Sequence, residues 1–187
     1  MSGARATQDA TEADELARLL RTRIRDVPDF PSPGIVFRDI APLLADPRAF
    51  GAAVDAIAGH AASGAVAAVA GIEARGFILG AAVAYRCGAG FVPVRKAGKL
   101  PSPTFAATYA LEYGSATLEV PQAAFGAGDR VLVVDDVLAT GGTAQAAAQL
   151  IRRTGAEVVG CSVLLELPDL DGRARLQDLT VRSLLVI

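Results

Sequence analysis

Two adjacent carboxylates and a loop of small residues lie between an apolar run and an alanine-rich run. Asp135 and Asp136 directly follow the run of residues 131–134, which reads VLVV. A buried strand of a parallel sheet reads as a continuous apolar run, and ligands bind beyond the carboxyl ends of such strands. Because side chains alternate along a strand, the two aspartates should point in different directions. One of them can meet a ligand directly while the other faces a metal, water or a positioning group.

The loop after the aspartates predicts a phosphate site. It contains Thr140, Gly141, Gly142 and Thr143 and leads into a helix that begins near Ala144. Free N–H groups and the positive end of a helix dipole favour a phosphate at such a point. Gly-Gly alone would favour a plain strand-to-helix turn, but the strand, the Asp-Asp pair and the loop in this order favour phosphate binding. The sequence contains neither of the two common nucleotide motifs, G-x-x-x-x-G-K-[ST] and G-x-G-x-x-G after a strand.

Basic residues occur in two further places where a diphosphate could bind. Arg75 follows the apolar run of residues 65–72, at the predicted end of a strand and the start of a helix. Of the eighteen basic residues only two are lysines, and both Lys96 and Lys99 follow Arg95 in one proline- and glycine-containing segment. Lysine supplies a compact charge that arginine does not. We interpret this segment, residues 96–107, as a flexible lid loop.

The elements needed to position these residues are those of an α/β fold. Apolar runs predict parallel strands over 65–72, 90–95, 130–138, 157–167 and 181–187, and residues 108–114 and 115–120 predict a short antiparallel pair. Helices are predicted over 11–25, 46–62, 77–86 and 142–154, with Asp46 as an N-cap before Pro47. The strand, helix, strand order indicates a mainly parallel, twisted sheet flanked by helices.

Length and composition limit the possibilities further. The chain has 187 residues, 52% hydrophobic and 20% charged residues, a net charge of −2 and a pI of about 5.4. We expect a single domain with a disordered stretch at residues 1–10, a cytoplasmic location, and no nucleic-acid or membrane partner. Cys87 and Cys161 should be core thiols and His60 a helix-end residue, which argues against a metal site built on histidines.

These motifs together resemble the type I phosphoribosyltransferase family, whose donor is phosphoribosyl pyrophosphate (PRPP). The string VVDDVLATGGT over residues 133–143 is similar to the PRPP signature of that family. The segments DFPSPGIVFRDI (29–40), GIEARGF (71–77), RKAGKLP (95–101) and LEYG (111–114) are similar to its adenine-specific branch. The resemblance implies a type I phosphoribosyltransferase fold with a small N-terminal hood over about 26–45 and a flexible lid.

The resemblance also implies a role for each matching residue. Asp135, Asp136, Ala139, Thr140, Gly141, Gly142 and Thr143 would hold the ribose and the 5′-phosphate. Arg75, Arg95, Lys96 and Lys99 would hold pyrophosphate. Phe37 would stack on adenine, and the backbone at Val36 and Arg38 would pair with its Watson–Crick edge. Glu112 would be the catalytic residue, either as a base or as an electrostatic stabiliser of the cationic ribose.

The expected reaction joins adenine and PRPP to give AMP and pyrophosphate, a purine salvage step. Mg²⁺ is the expected cofactor because both PRPP and pyrophosphate are polyanions, with Asp135 and Asp136 as mainly indirect ligands. A homodimer is expected from the resemblance alone. Two alternatives stay open at this point, a transferase for another purine such as xanthine and a PRPP-sensing regulator without catalysis.

Overall fold

A computed structural model describes residues 2–61, 65–101, 103–110 and 114–187, with the backbone alone at residues 2–10 and 110. The chain divides into two compact units after Val54. The division falls within the helix Pro47–Ala61. The sequence-based expectation of a single domain stays a prediction.

The first unit contains a helical segment and a two-stranded sheet. Its elements are α1 (Ser2–Arg21), β1 (Arg25–Pro28), β2 (Val36–Asp39), α2 (Ala41–Ala45) and the start of α3 (Pro47–Ala61). Strands β1 and β2 are antiparallel, with Val27 opposite Phe37. The predicted cap of α3 is confirmed, since Asp46 Oδ1 accepts the backbone N–H groups of Arg48 and Ala49 at 2.9 and 3.1 Å.

The second unit is a seven-stranded sheet with helices. Its elements are β3 (Ala68–Ile72), α4 (Arg75–Cys87), β4 (Gly90–Lys96), β5 (Thr104–Ala110), β6 (Ser115–Pro121), β7 (Arg130–Leu138), α5 (Gly142–Arg153), β8 (Glu157–Glu166) and β9 (Val181–Val186). Two short 3₁₀ turns, Pro168–Leu170 and Gly172–Arg175, connect β8 to β9. We call residues 168–175 the turn segment.

The order of the strands is β5-β6-β4-β3-β7-β8-β9. Five neighbouring strands run parallel: β4, β3, β7, β8 and β9. Strand β6 pairs antiparallel with β4 and β5. The α/β prediction with a mainly parallel sheet is therefore confirmed. In the core, Val131 and Val133 of β7 pack with Leu150 and Ile151 of α5, all fully buried. Alanines on the inner face of α5 allow this helix to lie close to the sheet.

Several predicted boundaries differ from the structure. Helix α1 begins at Ser2, so it includes residues that the sequence predicts to be disordered. Strand β5 begins at Thr104 rather than at residue 108, so the predicted lid loop is shorter by those residues. Strand pairing explains the earlier start of β5, because Phe105 lies opposite Val120 in β6 and packs against the core. Helix α4 begins at Arg75 rather than Phe77, and α2 was not predicted.

The cysteines and the histidine lie close to where the sequence suggests. Cys161 is buried and Cys87 half-buried, both as free thiols. Burial raises the pKa of Cys161 to about 12, so this thiol is inert at neutral pH. His60 lies in the last turn of α3, and its Nδ1 is 3.0 Å from Ser162 Oγ. None of the described helices combines the length and apolar character needed to cross a membrane.

Candidate active site

The candidate residues meet where β3 and β7 lie side by side. From β3 the chain proceeds outward to β4 on one side, and the later strands β7, β8 and β9 lie on the other side. In open parallel sheets, ligands bind at such a reversal of strand order, beyond the carboxyl ends of the strands. The Arg75 loop follows β3, and Asp135 and Asp136 stand near the end of β7. The topology therefore creates the crevice that the sequence motifs predict.

The two aspartates have different partners, as strand alternation predicts. Asp136 is buried, and its Oδ2 forms an ion pair with Arg75 Nε at 2.8 Å. Asp135 Oδ1 instead accepts the backbone N–H of Asp136 at 2.9 Å. Burial, together with the charge of Asp136, raises the pKa of Asp135 well above its usual range. Burial also raises the pKa of Asp136, although the Arg75 guanidinium opposes this shift. Hydroxyl donors from a ligand would stabilise the ionised forms.

The predicted phosphate loop, residues 139–143, is shaped by close backbone contacts. Gly141 has a φ of +79°, and a side chain there would collide with the Gly172 carbonyl oxygen. Gly172 in turn has no room for a side chain, because Cβ would collide with the Ala139 carbonyl oxygen. The helix α5 begins at the next residue, Gly142, so its first N–H groups face the loop. The loop thus offers backbone donors in a fixed arrangement.

A glycine also brings the Arg75 loop against β7. A Cβ at Gly76 would lie 2.8 Å from both Asp135 Oδ1 and the Val134 carbonyl oxygen. Only glycine lets α4 begin this close to the strand. This approach places Arg75 within reach of Asp136.

The basic residues after β4 are tied to the Arg75 loop through Glu73. Glu73 Oε2 accepts the backbone N–H of Lys96 at 2.9 Å, and the Arg95 guanidinium lies 3.4 and 3.5 Å from the two carboxylate oxygens. Arg95 Nη1 also donates to the Lys99 carbonyl oxygen at 3.0 Å. The Lys96 N–H and the Arg95 guanidinium lower the pKa of Glu73, so this carboxylate is ionised. Sequence motifs alone do not predict this role of Glu73.

A cavity of about 240 Å³ brings most of these groups together. Arg75 and both aspartates line it together with the phosphate loop. The complete lining is Glu73, Ala74, Arg75, Tyr109, Asp135, Asp136, Val137, Leu138, Ala139, Thr140, Gly141, Thr143 and Ala144. Gly142, Arg95, Lys96 and Lys99 do not line the cavity, and the last three connect to it through Glu73.

The predicted adenine residues lie in the first unit, on β2. The ring of Phe37 packs edge-on against Phe30 at a centroid distance of 5.2 Å, and Arg38 Nη1 pairs with Asp26 Oδ2 at 2.5 Å. Val36 is exposed. Within the described part of the chain, β2 pairs with β1 in a two-stranded antiparallel sheet.

Three residues near the cavity were missed by sequence reasoning. Tyr109 reaches the cavity from β5, Gly172 supports the loop from the turn segment, and Gln145 Nε2 donates to the Arg175 carbonyl oxygen at 3.1 Å. The Asp171-Gly172 pair predicts a turn, but nothing in the sequence indicates what the turn contacts. The predicted catalytic residue Glu112, with its neighbours Leu111 and Tyr113, lies outside the described residues.

Comparison with known proteins shows which family the chain is similar to. Residues 43–184 match the phosphoribosyl transferase domain. The chain is 62% identical to the adenine phosphoribosyltransferase of Streptomyces coelicolor over 167 residues, covering 89% of this chain and 92% of the relative. A crystal structure of the adenine phosphoribosyltransferase from Rhodothermus marinus is similar with a TM-score of 0.89 and 48% identity, covering 93% of this chain and 99% of that one.

A second similar structure carries ligands. It is the adenine phosphoribosyltransferase of Saccharomyces cerevisiae complexed with an imino-altritol bisphosphate and adenine, with a TM-score of 0.88, 40% identity and coverage of 92% and 99%. Identity and coverage of this extent in several relatives define membership rather than a shared fold alone. The chain belongs to the adenine phosphoribosyltransferase family of type I phosphoribosyltransferases.

Proposed function

We propose that this protein transfers the 5-phosphoribosyl group of PRPP to adenine, giving AMP and pyrophosphate in purine salvage. The main support from the structure is the cavity, in which a phosphate loop, two aspartates and Arg75 stand together at the switch point of the sheet. The relatives that carry the same activity in their names cover most of this chain. The sequence-based prediction of an adenine phosphoribosyltransferase is thereby confirmed.

In the proposed mechanism the chain holds the donor at three points. Backbone N–H groups of residues 139–143 bind the 5′-phosphate, and Asp135 and Asp136 bind the ribose hydroxyls. Arg75, Arg95, Lys96 and Lys99 bind the pyrophosphate as it acquires charge. A bond forms between N9 of adenine and C1′ of ribose while the bond from C1′ to the pyrophosphate oxygen breaks. The proton on the purine is lost, and Glu112 takes it or stabilises the cationic ribose.

The residues present fit an indirectly held Mg²⁺. Mg²⁺ prefers oxygen ligands and keeps several waters. Within the residues described, no three metal-binding side chains converge, so the oxygens of Asp135 and Asp136 would act mainly through water and ribose. When bound, the ion neutralises charge on PRPP and on the leaving pyrophosphate.

Base selectivity is proposed to come from β2. Phe37 stacks on the purine, a backbone C=O at Val36 or Arg38 accepts from the exocyclic amine, and a backbone N–H donates to N1. A 6-oxo purine presents the opposite pattern, and mismatches of this kind discriminate by about 10⁴-fold.

Product formation from PRPP, Mg²⁺ and each of adenine, hypoxanthine, guanine and xanthine, followed by chromatography, tests the reaction. We expect AMP from adenine alone. Another nucleotide would move the assignment to a different purine, and intact PRPP binding without any product would favour a regulator.

Glu112→Gln should lower turnover much more than PRPP affinity. Glu157→Gln, which alters an exposed carboxylate 3.6 Å from Arg130, is the matched control and should change neither.

We also propose that the protein is a cytoplasmic homodimer, as its family resemblance implies. Light scattering coupled to gel filtration measures the oligomeric state, and a mass of one chain would contradict the dimer. A fluorescent fusion imaged in cells tests the location.

A further inference from the structure

An ionic cluster lies at the end of β8, outside the cavity described above, and joins the buried carboxylate of Glu166 to Arg173, whose side chain is 49% exposed. Glu166 is 6% exposed, and Arg173 binds it with two hydrogen bonds, from Nε at 2.5 Å and from Nη2 at 2.7 Å. Ser183 Oγ of β9 donates to Glu166 Oε2 at 2.6 Å. Arg173 Nη1 also donates to the Val181 carbonyl oxygen at 3.0 Å. The cluster therefore fixes Arg173 against strands β8 and β9.

Arg173 directly follows Gly172, the residue that contacts the phosphate loop. A Cβ at Gly141 would collide with the Gly172 carbonyl oxygen, and a Cβ at Gly172 would collide with the Ala139 carbonyl oxygen and lie 3.0 Å from Leu138 Cγ. At the other end of the turn segment, the Arg175 carbonyl oxygen accepts from Gln145 of α5. The turn segment is thus packed along the back of the loop and of the first turn of α5.

Stability alone does not explain why charged residues form this cluster. A buried carboxylate must be paired, and an apolar pair of similar volume often stabilises a fold as well or better. What an apolar pair cannot supply is direction, because a two-point arginine–carboxylate contact fixes the plane of the guanidinium. Here the contact between Arg173 and Glu166 fixes the backbone next to Gly172, the residue that contacts the phosphate loop.

We propose that Glu166, Arg173 and Ser183 are positioning residues for PRPP, acting through Gly172 on the phosphate loop. This inference rests on the proposed function, since it assumes that the loop binds the 5′-phosphate. Fixing Arg173 holds the Gly172 carbonyl beneath Gly141, and Gly141 sets the directions of the loop N–H groups. Displacing catalytic or binding groups by about 1 Å can cost about 100-fold. A partial loosening should cost less, and it should act on PRPP rather than on adenine.

The test compares Glu166→Gln, Arg173→Lys and Ser183→Ala. We expect Glu166→Gln to raise both the Kd and the KM for PRPP about tenfold, with the KM for adenine within about twofold of wild type. Arg173→Lys should not preserve affinity, because lysine keeps the charge but lacks the planar fork. Ser183→Ala should show the smallest effect, of about twofold to threefold. Calorimetry gives the Kd, steady-state kinetics the KM values, and thermal unfolding without ligand gives Tm.

Asp178→Asn is the matched control. Asp178 pairs with Arg152 at 2.5 Å, but its side chain is 61% exposed, and this pair does not contact the loop. The control should leave every kinetic constant unchanged. If Glu166→Gln fails to fold, Arg173→Lys and Ser183→Ala decide the question.

An unchanged PRPP Kd in the folded variants would overturn the positioning role, and so would a parallel loss of kcat and of both substrate affinities that follows the fall in Tm. These outcomes leave the proposed function intact as long as the wild-type protein binds PRPP and forms AMP. A wild-type protein that does not bind PRPP would overturn both.

Discussion

The two sides of the cavity are held in different ways. On the phosphate side, backbone packs on backbone, at Gly141 against Gly172 and at Gly76 against Val134. On the pyrophosphate side, the Arg95 side chain lies 3.4 Å from Glu73, and both groups are partly exposed. Packed backbones have no rotamers to change, whereas exposed ionic contacts can re-form around a ligand. If the ligands bind as proposed, we expect the phosphate side to be preformed and the ionic contacts of the pyrophosphate side to exchange partners when the diphosphate binds.

The largest effect is expected where backbone packing is broken. Gly141→Ala adds a methyl group at a φ of +79° and against the Gly172 carbonyl, so the loop must move. PRPP affinity should fall about 100-fold or more, measured by calorimetry. Gly59→Ala is the matched control, because a methyl group on that helical glycine would have no neighbour within 4 Å. Unchanged PRPP binding by a folded Gly141→Ala protein would contradict a preformed loop.

Asp136→Asn should have the next largest effect. It removes the anionic partner of Arg75, and an ion pair with one buried and one partly exposed partner contributes about 1.5–3 kcal/mol, between the values for exposed and for buried pairs. The kcat/KM for PRPP should therefore fall about 10-fold to 100-fold. Asp55→Asn, which alters an exposed pair with Arg86 at 2.7 Å, is the control and should leave kcat/KM unchanged. Equal losses in both variants would remove any special role for the Arg75 pair.

A smaller effect is expected on the pyrophosphate side. Glu73→Gln weakens the contacts to Arg95 and Lys96, but partly exposed ion pairs contribute only about 1 kcal/mol or less. The KM for pyrophosphate in the reverse reaction should rise about threefold to fivefold. A loss as large as that of Asp136→Asn would show that this side is as rigid as the other.

The smallest effect is a pH dependence of stability. The pKa of Glu73 is lowered in the folded state, so the unfolded chain binds its proton more readily. Glu73 thus stabilises the fold above its ordinary pKa of 4.5, and this stabilisation is lost as the pH falls through the lowered value. The Tm difference between wild type and Glu73→Gln should be full at neutral pH and should disappear as the pH falls below the lowered pKa of Glu73. A difference that persists at low pH would contradict the ionised contact.

The sequence predicts best what lies within one contiguous segment. Residues 131–143 contain a strand, two acids and a loop in order, and Asp135, Asp136 and Thr140 line the cavity as expected. Tyr109 and Gly172 reach the same site through tertiary structure, from β5 and from the turn segment. A local pattern cannot indicate such contacts, because they depend on which strands become neighbours.

The predicted start of strand β5 is wrong because strand pairing in the folded protein overrides the local sequence signals. Pro101 and Pro103 favour an irregular segment, yet β5 begins directly afterwards at Thr104 because β6 offers a partner and Phe105 packs inward. The Arg153 guanidinium lies 4.7 Å from the centre of the Phe105 ring, and its Nη1 donates to the Ala106 carbonyl oxygen. The end of α5 thus holds a strand that proline content alone would not predict.

The contact between Gly141 and Gly172 constrains which substitutions this chain can accept. A Cβ at Gly141 would collide with the Gly172 carbonyl oxygen, and a Cβ at Gly172 would collide with the Ala139 carbonyl oxygen. In both cases the obstacle is a backbone atom, so a smaller side chain elsewhere cannot make room. We therefore expect both positions to stay glycine in any descendant sequence that keeps this loop.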